Sequence, residues 1–240
     1  MYHVRAKSCA EAWVKATQDI LDKGENMGGL YEILNMGIEI ESSEVCPVFD
    51  KGFREIFGDE RIDYAKSVTF VEPERNVMFP QMMEYKQNQE GKWTNSYWGR
   101  MISWNGGFNQ IEQAIKRLQQ NKQAKTIVIG VYDPQSDGKK QMGGMPCLLT
   151  IDLKPRGGKL NLTANFRSQA VSKSGYADYM ALVELCDFLC KESGCLDFGL
   201  VTSFAHSCHV RTQNNELKNS KLLMERYEHQ LGTIVQGAHL

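Results

Sequence analysis

The chain has 240 residues, of which 42% are hydrophobic, and a formal net charge of -1. This composition is typical of one globular domain with a substantial core. The near-zero charge excludes a bulk attraction to nucleic acid or to acidic membranes, so any anion site must be local. No apolar run is long enough to span a bilayer, and the first residues lack the apolar stretch of a secretory signal.

The seven cysteines are scattered along the chain without a paired spacing. In a chain of this size they indicate reduced thiols rather than a disulfide framework, so we expect a cytoplasmic protein. Cys186 and Cys190 share one face of a predicted helix with Leu182, Leu185 and Leu189. That face favours core packing over a metal site, and we predict no metal.

Four elements can be predicted in the part of the chain that ends at Tyr132. Ser8 to Glu11 matches a capping box, and it begins a helix that ends at Gly24. Apolar and polar residues alternate from Leu34 to Ile40, which predicts a half-buried strand. Apolar residues at helical spacing run from Ile111 to Leu118. The β-branched run from Thr126 to Tyr132 predicts an interior strand.

Two further segments are interpreted from their composition. Phe79 to Gln89 has a pattern compatible with a helix. Asp133 to Met145 is polar and rich in glycine, which is typical of a mobile surface loop. This loop leads directly to Cys147.

A β-hairpin is predicted after that loop. Its strands are Leu148 to Leu153 and Lys159 to Phe166, and glycines follow Arg156 at the turn between them. Antiparallel pairing places Cys147 and Arg167 at the same end of the two strands. Farther along, we predict a helix after Asp178, a short strand from Leu200 to Phe204 and a final helix from Glu216 to Tyr227. The whole chain, residues 1–240, is predicted to form one α/β domain.

Three positions around the hairpin carry residues that can act together on a phosphorylated small molecule. Cys147 offers a thiol nucleophile, and a neighbouring Arg167 is expected to lower its pKa. Arg167 and Ser168 offer a fork of donors and a hydroxyl for a phosphate. Asp178 offers a carboxylate. The structural alternatives are a buried cysteine, a surface arginine and a helix cap.

These residues resemble the thymidylate synthase family, which includes the pyrimidine-nucleotide hydroxymethylases. The resemblance is carried by Pro146-Cys147, Arg167-Ser168, Asp178 and Ser207-Cys208-His209-Val210, and by the spacing between them. It is strongest from Tyr97 to Asn215. It implies a homodimeric α/β (α+β) fold with a central mixed sheet flanked by helices.

The resemblance also implies roles for individual residues. Cys147 would attack C6 of a pyrimidine nucleoside monophosphate, and C5 would then capture a one-carbon unit from the co-substrate methylenetetrahydrofolate. Arg167 and Ser168 would hold the phosphate, and His209 would contact a ribose hydroxyl. Tyr97 would belong to the hydrogen-bonded network near the base.

Asp178 is the residue from which we predict the base. Synthases that act on uracil resemble one another in having Asn at this position, whereas the deoxycytidylate hydroxymethylases are similar to this chain in having Asp. A carboxylate accepts from the cytosine amino group and, when it carries a proton, can also serve N3. An unpaired buried polar group costs about 1–3 kcal/mol, which is enough to change base preference.

The chain departs from the family pattern at several positions. The pair of arginines that reaches the partner's phosphate falls at Lys125-Thr126, and the tyrosine after the ribose-binding histidine falls at Arg211. We count Lys125 and Arg211 among the predicted substrate-binding residues. Ala170 replaces the aspartate that contacts the folate ring, and Leu148 replaces a histidine. The candidates for the catalytic glutamate are Glu55, Glu60 and Asp63.

The sequence therefore predicts a cytidylate C5-hydroxymethyltransferase, acting on CMP or dCMP, with Cys147, Asp178 and Tyr97 as catalytic residues. A methylating synthase that acts on uridylate or cytidylate is the nearest alternative. A nucleotide-binding homologue without folate chemistry is the second, and a thiol hydrolase is the third. Ribose and deoxyribose both remain open.

Overall fold

A computed structural model describes residues 1–58, 97–105, 107–139 and 145–237 of the chain. The predicted helix from Phe79 to Gln89 lies outside the described residues. The described elements, in chain order, are β1 (Tyr2–Ala6), α1 (Cys9–Lys23), β2 (Glu25–Asn26), β3 (Leu30–Ile40), α2 (Pro47–Phe57), α3 (Tyr97–Ile102), α4 (Gln110–Gln120), β4 (Ile127–Gly130), β5 (Leu148–Arg156), β6 (Lys159–Phe166), β7 (Gln169–Ala170), a π-helical turn (Val171–Gly175), α5 (Tyr176–Ser193), β8 (Asp197–Arg211) and α6 (Glu216–Gly237).

One mixed sheet organises the described residues. Its strand order is β1-β3-β8-β6-β5-β4, with β2 added beside β3 and β7 beside β8. β8 is parallel to β6 and β7 but antiparallel to β3, whereas the β5–β6 hairpin is antiparallel. The mixed α/β architecture with flanking helices confirms the predicted fold class.

The predicted hairpin is confirmed, and its first strand extends three residues beyond the predicted end at Leu153. Gly157 and Gly158 form its turn with φ of 58° and 79°, a conformation that residues with a side chain rarely adopt. Leu148 pairs with Phe166, so Cys147 and Arg167 leave the hairpin side by side.

Helix α1 also follows its prediction. Ser8 Oγ accepts a hydrogen bond from the Glu11 amide, and the helix ends before Gly24. Trp13 lies on its buried face, and its indole N–H donates to the carbonyl of Val171 at 2.8 Å. This bond joins α1 to the π-helical turn that precedes Asp178.

Two strand predictions need correction. Leu34 is 60% exposed rather than buried, because Asn35 has a φ of 56° and reverses which side chains of β3 face the helices. Ile33 is buried in its place. The run from Thr126 to Tyr132 contains β4, which is an edge strand and not an interior one, and Val128 is 53% exposed on it.

The C-terminal elements are longer than predicted. The short strand from Leu200 to Phe204 is part of the 15-residue β8, and the last helix continues to Gly237. The predicted apolar face of α5 is confirmed, and Cys186 and Cys190 are buried in the core with it. Among the described residues, no group of three or more histidines, cysteines or carboxylates is placed to hold a metal ion. None of the described helices combines the length and the apolar character needed to cross a membrane.

Candidate active site

The site forms at the open end of the hairpin, where Cys147 precedes β5 and Arg167 follows the adjacent strand β6. The Arg167 amide donates to the Cys147 carbonyl at 2.9 Å, and Arg167 Nη2 lies 3.7 Å from Cys147 Sγ. The predicted proximity of the thiol and the guanidinium is therefore confirmed.

Arg167 also holds the chain that carries the nucleophile. Its Nε donates to the Pro146 carbonyl and its Nη2 to the Met145 carbonyl, each at 3.0 Å. Arg167 is half-buried, and these contacts anchor the segment before Cys147. Ser168 follows it, half-buried, just before β7.

The prediction that Arg167 makes the Cys147 thiolate readily available needs correction. Burial raises the pKa of the thiol above its ordinary value, and the nearby Asp178 raises it further. Arg167 is the largest opposing influence, and Arg211 lowers the pKa in the same direction. Because burial outweighs both cations, the thiol is predominantly protonated at neutral pH in the free protein.

Tyr97 lies beside the nucleophile. The Cys147 amide donates to Tyr97 Oη at 3.2 Å, which joins helix α3 to the start of β5. Burial, together with the nearby Asp178 and Cys147, raises the pKa of the phenol above its ordinary value. Tyr97 is therefore a neutral hydroxyl that can still donate its proton.

A buried ion pair fixes the helix that carries Tyr97. The Arg100 guanidinium donates to both carboxylate oxygens of Asp137, at 2.5 and 2.9 Å, and to the Val131 carbonyl at 2.7 Å. Both side chains are fully buried. The predicted mobile loop is therefore anchored at Asp137; its residues 140–144 lie outside the described part of the chain.

Asp178 is buried in the first turn of α5, close enough to Tyr97 and Cys147 to raise the pKa of each. It is not the N-cap of that helix, because the π-helical turn leads into α5 without a break. Burial raises the pKa of Asp178 to about 7, against the opposing hydrogen bonds from Gln169 and Ser174. The carboxyl can therefore be neutral or charged near neutral pH.

His209 lies on β8, where Ala170 and Glu32 are its neighbours on the two flanking strands. It is 6% exposed, and neither ring nitrogen has a hydrogen-bond partner in the part of the chain that the structure describes. Burial and Arg211 lower its pKa, although Glu32 and the Ser207 carbonyl oppose them. A neutral imidazole with two unused nitrogens is suited to a ligand hydroxyl.

Lys125 is the predicted site residue that the structure separates from the others. It is exposed and precedes β4, whose Ile127 pairs with Leu153 of β5. Leu153 is five residues from Leu148, which is about 17 Å along a strand. Within one chain, Lys125 therefore lies toward the hairpin turn, whereas Cys147 lies at the opposite end.

Of the candidates for a catalytic glutamate, Glu55 is the one that the structure describes, and it is not brought to the thiol. Glu55 is exposed on α2, where its carboxylate pairs with Arg226 of α6 at 3.2 Å. Glu60 and Asp63 lie outside the described residues.

Three polar residues of the site were not predicted from the sequence: Gln169, Tyr179 and Ser203. All three are buried, and they form a polar network with Asp178. The sequence feature that could have indicated this network is Ser203, a hydroxyl residue that falls at a core-facing position between Val201 and Ala205, which are both buried.

A family model described as thymidylate synthase matches residues 65–236. A Methanosarcina barkeri protein named "putative thymidylate synthase" is 27% identical over 214 residues, which cover 86% of this chain and 88% of the relative. A protein of the same name from Methanosarcina acetivorans is 26% identical over the same coverage. A third, from Methanocaldococcus jannaschii, is 30% identical over 106 residues, which cover 43% of this chain and 47% of the relative.

Proposed function

Because the chain belongs to the thymidylate synthase family, whose members join a one-carbon unit from methylenetetrahydrofolate to a pyrimidine nucleotide, we propose that it hydroxymethylates C5 of a cytosine nucleoside monophosphate. The observation that carries this proposal is the buried carboxyl of Asp178 beside Cys147. A carboxyl that keeps its proton near neutral pH offers one donor and one acceptor, which is what the N3 and amino edge of cytosine requires.

The residues of the site fit the nucleotide part by part. His209 has two buried nitrogens that meet no hydrogen-bond partner among the described residues, and it would take a sugar hydroxyl. Arg167, Ser168 and the exposed Arg211 would take the phosphate. Cys147 and Asp178 would then face the base, with Tyr97 beside them.

The fit to the folate is incomplete. Ala170 has no polar side-chain atom at the position where the family's aspartate contacts the folate ring, so that contact must come from another residue. Methylenetetrahydrofolate would supply the one-carbon unit at the oxidation level of formaldehyde, and water would supply the hydroxyl of the product.

The reaction begins at the thiol. Cys147 would lose its proton as Sγ forms a bond to C6, and the electron pair of the 5,6 double bond would make C5 nucleophilic. Arg167, 3.7 Å from Sγ, stabilises the thiolate as it forms. Asp178 would hold the base edge throughout. C5 would form a bond to the one-carbon unit and lose its proton, and tetrahydrofolate would leave. Water would then add to the exocyclic methylene as Cys147 departs from C6 and the 5,6 double bond is restored.

We also propose a homodimer. Thr163, Asn165, Thr202 and Phe204 alternate with the core residues of β6 and β8, so they point away from the core, and each is partly exposed. A second copy packed on this face could bring Lys125 of the partner subunit toward the phosphate, which Lys125 cannot reach within its own chain. Sedimentation should give twice the chain mass of 27.3 kDa; an active monomer would exclude the dimer.

The names of the Methanosarcina relatives favour one alternative, methylation of a uridylate. The experiment that separates the two is incubation with CMP, dCMP, UMP and dUMP in turn, each with methylenetetrahydrofolate, followed by mass analysis of the product. A hydroxymethylated cytidylate supports the proposal. A methylated uridylate overturns it.

A further inference from the structure

Gln169 is a buried amide that connects Asp178 to two hydroxyl groups. Its Nε2 donates to Asp178 Oδ2 at 3.3 Å. Its Oε1 accepts from Ser203 Oγ at 3.1 Å and from Tyr179 Oη at 3.5 Å. Gln169, Ser203 and Tyr179 are each at most 1% exposed, so water cannot replace these bonds easily.

The two hydroxyl groups fix the direction in which the amide points. A buried hydroxyl needs an acceptor for its hydrogen, and Gln169 Oε1 is the acceptor that the described structure gives to both Ser203 and Tyr179. Reversing the amide would place its NH2 against two donors and leave both hydroxyl hydrogens unpaired. The N–H of Gln169 therefore stays directed at Asp178 Oδ2.

This arrangement makes the two oxygens of Asp178 unequal. An oxygen that accepts from Gln169 Nε2 cannot carry a proton pointed at that same donor. When Asp178 is neutral, its proton therefore lies on Oδ1, and Oδ2 remains an acceptor. Ser174 also hydrogen-bonds this carboxyl, and its hydroxyl is compatible with a proton there because it can accept as well as donate. Without Gln169, the proton could occupy either oxygen.

The position of that proton matters because cytosine and uracil present opposite patterns. Cytosine offers a donor at its amino group and an acceptor at N3, whereas uracil offers an acceptor at O4 and a donor at N3-H. A neutral carboxyl matches either base, depending on which oxygen carries the proton. A carboxyl whose proton is confined to one oxygen matches only one of them.

We propose that Gln169 is a positioning residue that selects the base by confining the proton of Asp178 to Oδ1. This inference rests on the proposed function, since it requires Asp178 to face the pyrimidine edge. Ser203 and Tyr179 support the selection indirectly, because they hold the amide in the required direction.

The test is the ratio of the dissociation constant for UMP to that for CMP, which exceeds one when CMP binds more tightly, measured by calorimetry without folate. Gln169→Leu removes the donor and keeps a similar volume, so we expect the ratio to fall at least tenfold toward unity. Ser203→Ala removes one of the two groups that orient the amide, so it should lower the ratio by a smaller factor. If Gln169 has only a structural role, its loss would weaken the binding of both nucleotides equally and leave the ratio unchanged.

Gln110→Leu is the matched control. Gln110 is also an anchored amide, which donates to the carbonyls of Arg100 and Gly130 and accepts from the Gly130 amide, but it makes none of its bonds to Asp178. This variant should lose stability and keep the parent ratio. Thermal unfolding of each variant confirms that a folded protein is being compared.

The outcomes separate this inference from the proposed function. If the parent prefers CMP and Gln169→Leu retains that preference, the role of Gln169 is overturned. If the parent prefers UMP and Gln169→Leu abolishes that preference, Gln169 selects the base but the cytosine proposal is wrong. If the parent binds both nucleotides equally, or binds neither, Gln169 selects nothing and the inference is overturned.

Discussion

Arg167 Nη2 lies 3.7 Å from Cys147 Sγ, and the same guanidinium holds the two carbonyls that precede this cysteine. One side chain therefore both stabilises the thiolate and positions the nucleophile. Burial still raises the pKa of the thiol above its ordinary value, because desolvation destabilises the thiolate more than the two nearby cations, Arg167 and Arg211, stabilise it.

The balance between burial and Arg167 predicts how fast Cys147 reacts with iodoacetamide. Only the thiolate is alkylated, so the rate should rise with pH up to the raised pKa of the thiol. Arg167→Ala removes the largest influence that lowers this pKa, so alkylation at pH 7 should slow severalfold. Arg167→Lys keeps a positive charge, so its alkylation rate should lie between those of the parent and Arg167→Ala. Peptide mass analysis can follow Cys147 separately; equal rates in all three proteins would contradict this account.

Cys147→Ser should abolish turnover and leave nucleotide binding nearly unchanged, because an alcohol is a far poorer nucleophile than a thiolate at neutral pH. The two side chains differ little in size, and the backbone bonds of residue 147 to Tyr97 and Arg167 do not involve the thiol. Product formation and calorimetric binding provide the two measurements. Full activity in a preparation free of the parent enzyme would exclude the proposed mechanism.

Asp178→Asn combined with Gln169→Leu should shift base preference from cytidylate toward uridylate. With Gln169 in place, the amide of Asp178→Asn would turn its oxygen toward Gln169 Nε2, which reproduces the donor and acceptor positions of the neutral carboxyl and should keep the cytidylate preference. Without Gln169, the amide can donate to O4 and accept from N3-H. In the double variant the ratio of kcat/KM for the two bases should change by at least about tenfold relative to the parent, which is equivalent to about 1.4 kcal/mol. The hydroxymethyl outcome should be retained. A ratio that stays the same would assign Asp178 a structural role.

Asp178→Asn by itself should stabilise the fold in a pH-dependent way. Burial raises the pKa of Asp178 from 3.8 to about 7, so between these values the unfolded chain loses its proton while the folded chain keeps it. Stability therefore falls as pH rises through this window and is level above it. Asp178→Asn does not titrate, so its advantage in the free energy of unfolding should grow from about pH 4 to about pH 7, to at most about 4 kcal/mol.

Urea unfolding of the parent and Asp178→Asn at several pH values measures this difference directly. Asp152→Asn is a useful control, because Asp152 is partly exposed and pairs with Lys154 on β5. Its effect should be small, since exposed pairs contribute about 0–1 kcal/mol. An Asp178→Asn advantage that is the same at pH 4 and pH 8 would show that the carboxyl does not carry the raised pKa.

The sequence by itself determined the hairpin, because two alternating runs separated by glycines can pair in few ways. That pairing was sufficient to predict the contact between Cys147 and Arg167. The sequence also predicted helix α1 from its capping box and the buried face of α5 from the helical spacing of its apolar residues. These are features in which the local pattern and the final packing agree.

Only the tertiary structure decided the features that depend on residues distant in the sequence. The position of β4 at the sheet edge follows from strand order, which its β-branched composition does not encode. The exposure of Leu34 follows from the single backbone angle of Asn35. The network of Gln169 with Asp178 and Ser203 joins three separate elements. The raised pKa of Cys147 likewise depends on how deeply the folded chain buries the thiol, since burial and charge oppose each other there and only packing sets their balance.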